Sequence, residues 1–240
     1  MQEEFDLLFN DKALTYIALP VLLLTLAAME WVRYFINPTP QPVVLTITAF
    51  LAVAFSWKKL SGLKSRFRNI AKGIQAEKAV GQYLEQFRAE GYQIFHDIPG
   101  ESGGKKFNLD HVIIGPKGIF TIETKYRQKP EKGRGEILYD GEIITVQGLR
   151  PDRDPVEQAK AQARWLYGLL KDSTGKSIFV KPVVIYPGWW VENKVRDAEV
   201  WVVNEKALAS FINSQNTELA EPDIHLAAFH LSRYIQSTLK

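Results

Sequence analysis

The sequence predicts an α/β protein whose folded part follows two apolar helices. Three observations predict it. Residues 13–29 and 43–57 carry no charged side chain. Residues 107–114 and 119–127 read as strands joined by Gly115-Pro116-Lys117-Gly118, which is turn chemistry. Segments 66–90 and 154–171 repeat apolar side chains at helical spacing. At 240 residues, 46% apolar and 24% charged, the chain has room for a medium domain with an appendage, and disorder is excluded. It has no cysteine, which excludes disulfide scaffolds, thiolate zinc sites and cysteine nucleophiles. Its four histidines leave little for a histidine-rich metal site, and a net charge of +3 does not by itself argue for nucleic acid.

Residues 1–60 are expected to form a membrane hairpin, with helices over about 13–36 and 43–57. Asn-Pro-Thr-Pro-Gln-Pro (37–42) cannot continue the first helix. The second run covers roughly 22 Å as a helix, shorter than the roughly 30 Å hydrocarbon core, so Lys58 and Lys59 are expected to snorkel and Trp31, Tyr34 and Trp57 to anchor at the interface. A signal peptide does not fit the acidic start Gln-Glu-Glu-Phe-Asp. Residues 58–72 hold Lys58, Lys59, Lys64, Arg66, Arg68 and Lys72 without an acid. The positive-inside rule then puts both termini and the folded domain in the cytoplasm, on a two-pass protein of the inner (cytoplasmic) membrane. Residues 61–72 form a basic juxtamembrane linker, 73–204 the folded domain and 205–240 a helical extension.

In the helix over 66–90, Ile70, Gly73, Ala76, Val80, Leu84 and Phe87 share one face, and Glu77 falls inside that stripe. A carboxylate aimed at a core is costly unless paired or metal-bound. Gly91 ends the helix, residues 92–98 form a strand, and residues 99–106 a Gly-rich loop without phosphate-loop spacing. A turn centred on Pro116-Lys117 pairs residues whose numbers sum to 233, which sets Asp110 opposite Glu123 and Asn108 opposite Lys125 on one face. Facing carboxylates repel unless a cation or a proton lies between them, so Glu123→Gln is expected to stabilise the metal-free fold. Oxygen ligands suit Mg²⁺ or Mn²⁺.

A hairpin over 135–139 and 142–146 turns at Asp140-Gly141. Asp154-Pro155-Val156-Glu157 starts a helix to about Lys171, whose inner face holds Gln158, Gln162, Trp165, Leu166 and Leu169. The glutamines either orient a water or a phosphate oxygen, or satisfy buried backbone groups. Strands at 178–186 and 198–203 and helices near 205–212 and 223–238 follow. Pro182 points to an edge or a bulge, and Trp189, Trp190 and Trp201 to packing or a rim over the site.

Residues 72–186 resemble the nuclease-related domain, NERD, of the PD-(D/E)xK nuclease superfamily. The resemblance rests on Glu77, Asp110, the Glu123-Thr124-Lys125 tripeptide, and Gln158 with Gln162. It implies a restriction-endonuclease-like αβββαβ core with a mixed sheet, and divalent-metal hydrolysis of phosphodiesters. By this resemblance Glu77, Asp110, Glu123, Lys125 and Gln158 form the catalytic set. Asp110, Glu123 and the Thr124 carbonyl hold Mg²⁺ (or Mn²⁺), with Glu77 as a further ligand or a base, while Lys125 orients the attacking water. Lys105, Lys106, Arg127, Lys129 and Gln162, with Lys132 and Arg134, are candidate nucleic-acid contacts, DNA ahead of RNA. The expected function is a membrane-anchored nuclease; the alternative is a catalytically inactive, membrane-tethered module that binds nucleic acid or protein.

Overall fold

A computed structural model describes residues 14–37, 42–130, 135–151, 154–216 and 218–238, and for Leu63, Ser65 and Arg66 the backbone alone. The chain divides into two compact units, Met1–Ile74 and Gln75–Lys240.

In the first unit, α1 (Leu14–Ile36) packs against the start of α2 (Pro42–Leu84). The Trp31 indole Nε1 donates to Thr46 Oγ1 at 2.9 Å, and the Tyr16 and Phe55 rings stand 6.4 Å apart. Trp31 therefore ties the two helices together. Leu22, Phe50 and Leu51 are exposed. Both helices are long and apolar enough to cross a membrane. The expected turn at 38–41 and the acidic N-terminus lie outside the described residues. The basic stretch 61–72 is helical, because α2 runs through it without a break.

In the second unit a 3₁₀ turn (Glu85–Glu90) follows α2, and Gly91 at φ 85° closes it through bonds to the Arg88 and Phe87 carbonyls. The strands are β1 (Gln93–Ser102), β2 (Lys105–Gly115), β3 (Gly118–Thr124), β4 (Glu136–Tyr139), β5 (Ile144–Val146), β6 (Val180–Ile185), β7 (Trp190–Asn193) and β8 (Trp201–Val203). The helices are α3 (Pro155–Thr174), α4 (Glu205–Asn213) and α5 (Glu221–Thr238). The main sheet runs β1-β2-β3-β6-β8, antiparallel through β3 and parallel beyond, and a small sheet runs β5-β4-β7. The end of α2 with β1, β2, β3, α3 and β6 gives the αβββαβ order, and the β4–β5 hairpin interrupts it after β3.

One face of the sheet buries Ile113, Phe120 and Ile122 against Val80, Leu84 and Phe87 and against Leu208 and Ile212 of α4. The other buries Val112, Ile114 and Ile119 against Leu166 and Leu170 of α3 and Leu231 of α5. Asp154 caps α3 as its sequence implies, its side chain accepting from the Val156 and Glu157 amides.

Four expectations need correction. Residues 99–106 are not a loop: β1 and β2 continue to a two-residue turn at Gly103-Gly104, both at positive φ, as a tight hairpin turn demands. Strand β3 stops at Thr124, three residues short, where the chain leaves for the small sheet. Pro182 lies in an interior strand, yet β8 pairs only with Val183, Val184 and Ile185, so no ladder bond toward β8 is lost. The stretch 190–193 is a strand that the sequence did not announce.

Candidate active site

The β2–β3 hairpin turns so that His111 pairs with Ile122, Val112 with Thr121 and Ile114 with Ile119, the register read from the turn. The ladder ends at His111–Ile122, and Asp110 and Glu123 stand just past it. Instead of a cross-strand pair, the Thr124 amide donates to Asp110 Oδ2 at 2.7 Å. Glu123 is 4% exposed, at the end of a strand whose residues from Gly118 to Ile122 are all buried. Lys125 Nζ donates to Glu123 Oε1 at 2.6 Å and to Gln158 Oε1 at 2.9 Å. Gln162 Nε2 donates to the other oxygen, Glu123 Oε2, at 2.6 Å. Both glutamines reach in from α3, four residues apart and so on one face of the helix. Glu123, Lys125, Gln158 and Gln162 thus form one hydrogen-bonded group.

Asp110 and Glu77 carry the electrostatic strain. Burial, followed by the charges of Glu123 and Glu77, raises the Asp110 pKa well above the usual carboxylate range. The Glu77 carboxyl is pushed up to about 7, first by burial, then by the charge of Asp97 and a hydrogen bond to it, and then by Glu123. Asp97 escaped the sequence reading. It sits on β1 at φ 51°, unusual for a residue with a side chain. Pairing between β1 and β2 skips it: His96 faces His111 and Ile98 faces Leu109, but Asp97 and Asp110 do not pair. Both strands break alternation there, so Phe95 and Ile98 point to the same core, as do Leu109 and Val112. Asn108 is exposed as a result, and does not share a face with Asp110 and Lys125 as the plain period-two rule implied.

A cleft of about 300 Å³ adjoins this break, lined by Glu77, Glu85, His96, Asp97 and His111. His96 Nδ1 and His111 Nδ1 share a hydrogen bond at 2.8 Å, and His96 Nε2 bonds Glu85 Oε1 at 2.9 Å. Burial and then the charge of His96 press the His111 pKa down to about 4, so that ring is neutral at pH 7. Hydrogen bonds from Arg88 and then His96 hold Glu85 at about 2.

Lys105, Lys106, Arg127 and Lys129 are exposed, and among the described residues none bonds to the carboxylate group. Lys132 and Arg134 lie outside the described residues.

Residues 72–187 match the family model of the nuclease-related domain. The chain carries a nuclease-related domain. No curated protein and no solved structure matches the chain. The NERD match begins on α2 just before Glu77 and ends just after β6, so it encloses the whole carboxylate group and the break at Asp97.

The donor set fits a hard divalent ion. It is oxygen-only, with three mutually repelling carboxylates served by one lysine. Two further buried oxygens, Thr124 Oγ1 and Gln162 Oε1, have no hydrogen-bond partner among the described residues. No three His, Asp or Glu side chains among the described residues stand close enough to cage an ion. Mg²⁺ in general keeps several waters and takes substrate phosphate oxygens alongside one or two carboxylates.

Proposed function

We propose that the protein is a membrane-anchored, divalent-metal-dependent nuclease that hydrolyses phosphodiester bonds, DNA ahead of RNA, on the cytoplasmic side of the inner membrane. The observation that carries this reading is the Lys125 ammonium, which Glu123 and Gln158 hold beside the strained Asp110. Asp110, Glu123 and the Thr124 carbonyl would hold Mg²⁺ or Mn²⁺, with Glu77 at its border. The ion supplies Lewis-acid polarisation of the phosphate and an acidified water.

The chain's own residues do the rest. Lys125 has three N–H donors and spends two on Glu123 Oε1 and Gln158 Oε1. The third is left for a phosphate oxygen or the attacking water, where a positive charge stabilises the charge that develops in the transition state. Its side chain is 25% exposed, open enough for substrate to reach. Gln158 fixes the ammonium, and Gln162 fixes the Glu123 carboxylate that holds it. Glu77, with a pKa of about 7, is matched to take up a proton from water at neutral pH. The apolar hairpin and the basic stretch after it support a bilayer anchor with the NERD domain on the cytoplasmic side.

The test uses the full chain in detergent micelles, with DNA and RNA oligonucleotides and added Mg²⁺ or Mn²⁺. Metal-dependent cleavage that disappears in Glu123→Ala and Lys125→Ala supports the reading. A folded chain that binds nucleic acid but cleaves neither polymer is the inactive binding module instead. Reporter fusions at residues 40 and 70 test the anchor, and a cytoplasmic signal at residue 40 contradicts the hairpin.

A further inference from the structure

A second cavity, of about 670 Å³, uses residues outside the carboxylate group. Its walls are the segment leaving β3, the start of β7 and the first turn of α4. Its size lies within the range of pockets that hold small ligands.

Trp189 is a fixed wall: it is 2% exposed, its Nε1 donates to the Arg127 carbonyl at 3.2 Å, and its own carbonyl accepts from Asn204 Nδ2 at 3.0 Å. Gly135 leaves space beside it, since a Cβ there would come within 2.7 Å of the Trp189 ring. Glu205, the only acid among the described residues of the lining, accepts a bond from the Gly188 amide at 2.8 Å. Trp190 differs from its neighbour. It is 69% exposed, and an indole that open on an ordered strand presents a flat π-surface to solvent. Lys129 and Lys206 share the lining, and neither has an ion pair among the described residues.

A free indole face beside two ammonium groups matches a nucleic-acid strand: bases stack on aromatic rings while lysines meet the phosphates. Bases inside a duplex are already stacked, so only an unpaired nucleotide can offer its face. The pocket also lies within reach of the proposed chemistry. Lys129 follows Lys125 by four residues, at most about 14 Å of extended chain, and a stacked strand advances about 3.4 Å per nucleotide.

We infer that this cavity is a subsite for unpaired nucleotides of the bound strand, with one base stacked on Trp190 and adjacent phosphates on Lys129 and Lys206. It rests on the nuclease reading and adds to it a preference for single strands or frayed ends.

The experiment measures binding by the full chain in detergent micelles with EDTA present, so that no cleavage intervenes. The probes are oligo(dT), oligo(U) and a blunt duplex of equal length. Single strands should bind more tightly than the duplex, and the two oligonucleotides show whether the site takes deoxyribose or ribose. Trp190→Ala should weaken single-strand binding by about 5- to 150-fold, the range for one lost base stack, while Trp190→Phe keeps most of it. Lys129→Ala and Lys206→Ala should each flatten the salt dependence by about 0.7 in the slope of log K against log salt.

Unchanged single-strand binding in Trp190→Ala overturns the subsite, as does equal affinity for the duplex or no binding to any probe. Hydrolysis of a small chromogenic phosphodiester with Mn²⁺ reads the catalytic group alone and should survive Trp190→Ala. If that hydrolysis is present while Trp190→Ala leaves strand binding intact, the subsite fails and the nuclease reading stands. If wild type binds strands through Trp190 but hydrolyses no diester, the nuclease reading fails and the subsite stands.

Discussion

Glu77→Gln weighs the electrostatic strain at the carboxylates directly. The wild-type carboxyl is pushed from an ordinary 4.5 up to about 7, chiefly by burial and then by Asp97. At 1.36 kcal/mol per pH unit that gap is about 3.4 kcal/mol. Glu77 is only half-buried, so solvent screening reduces the expected effect to about 1–2 kcal/mol. The sign follows from the raised value: the folded state holds this proton more tightly than the unfolded chain does. Below about pH 4.5 both states are protonated, and the wild type and Glu77→Gln should melt together. As pH rises from 4.5 to about 7 the wild type loses stability relative to the variant, and above 7 the deficit is complete. For a folded unit of this size, 1 kcal/mol moves Tm by about 2–4 °C. Thermal melts of the full chain in detergent with EDTA should therefore show Glu77→Gln ahead by about 2–8 °C at pH 8 and level at pH 4. Asp97→Asn should move the curve part of the way in the same direction. A constant offset across pH, or a less stable Gln variant at pH 8, refutes the assignment of strain to Glu77.

Glu123→Gln should behave in the opposite way and lower metal-free stability by about 1–3 kcal/mol in the same melts, since an amide cannot accept from both Lys125 and Gln162. Gln162→Leu should cost a similar amount, about 1–3 kcal/mol, by leaving buried Glu123 Oε2 without its donor. Lys125→Met should reduce cleavage by about 100-fold or more while Mn²⁺ binding, read by electron paramagnetic resonance, stays nearly unchanged, because the ammonium is not a ligand. Gly115→Ala should destabilise the domain by about 1–3 kcal/mol in denaturant melts, because the new Cβ would lie 2.1 Å from the Tyr92 ring.

Much of the fold was legible because local chemistry and tertiary packing agree. Pro116 and Gly118 fix the turn, and the turn fixes the β2–β3 register, so a rule with period two placed Asp110 and Glu123 at the same end of the hairpin. The Asp154-Pro155 start of α3 was equally plain. Strand β7 was not, because its partner is β4, more than fifty residues upstream. Its sequence, Trp190 to Asn193, alternates poorly, and among the described residues it is held in the small sheet by four bridges to β4. The hairpin at Gly103-Gly104 is hidden in the sequence because exposed Lys105 and Lys106 at the strand start carry no hydrophobic signal.

That Glu123, Lys125, Gln158 and Gln162 come together was legible in the sequence, but the electrostatic balance among the acids was not. Periodicity pointed to facing carboxylates and therefore to shared repulsion. The structure divides that repulsion unequally. Glu123 is the deepest of the three but has a donor on each oxygen, Lys125 on Oε1 and Gln162 on Oε2. Asp110 has the Thr124 amide, and Glu77 shares its hydrogen bond with another acid, Asp97. Strain therefore collects on Asp110 and Glu77, which is why neutralising Glu123 should destabilise the fold whereas neutralising Glu77 should stabilise it. Asp97 makes the difference, and no helical or strand period could have flagged it. It reaches Glu77 only because its backbone takes a left-handed conformation that interrupts the β1–β2 ladder opposite Asp110. A break in alternation at an Asp, beside a buried carboxylate, is visible only once the strands are paired. It puts a fourth acid where a cation, or a proton shared with Glu77, relieves the most repulsion.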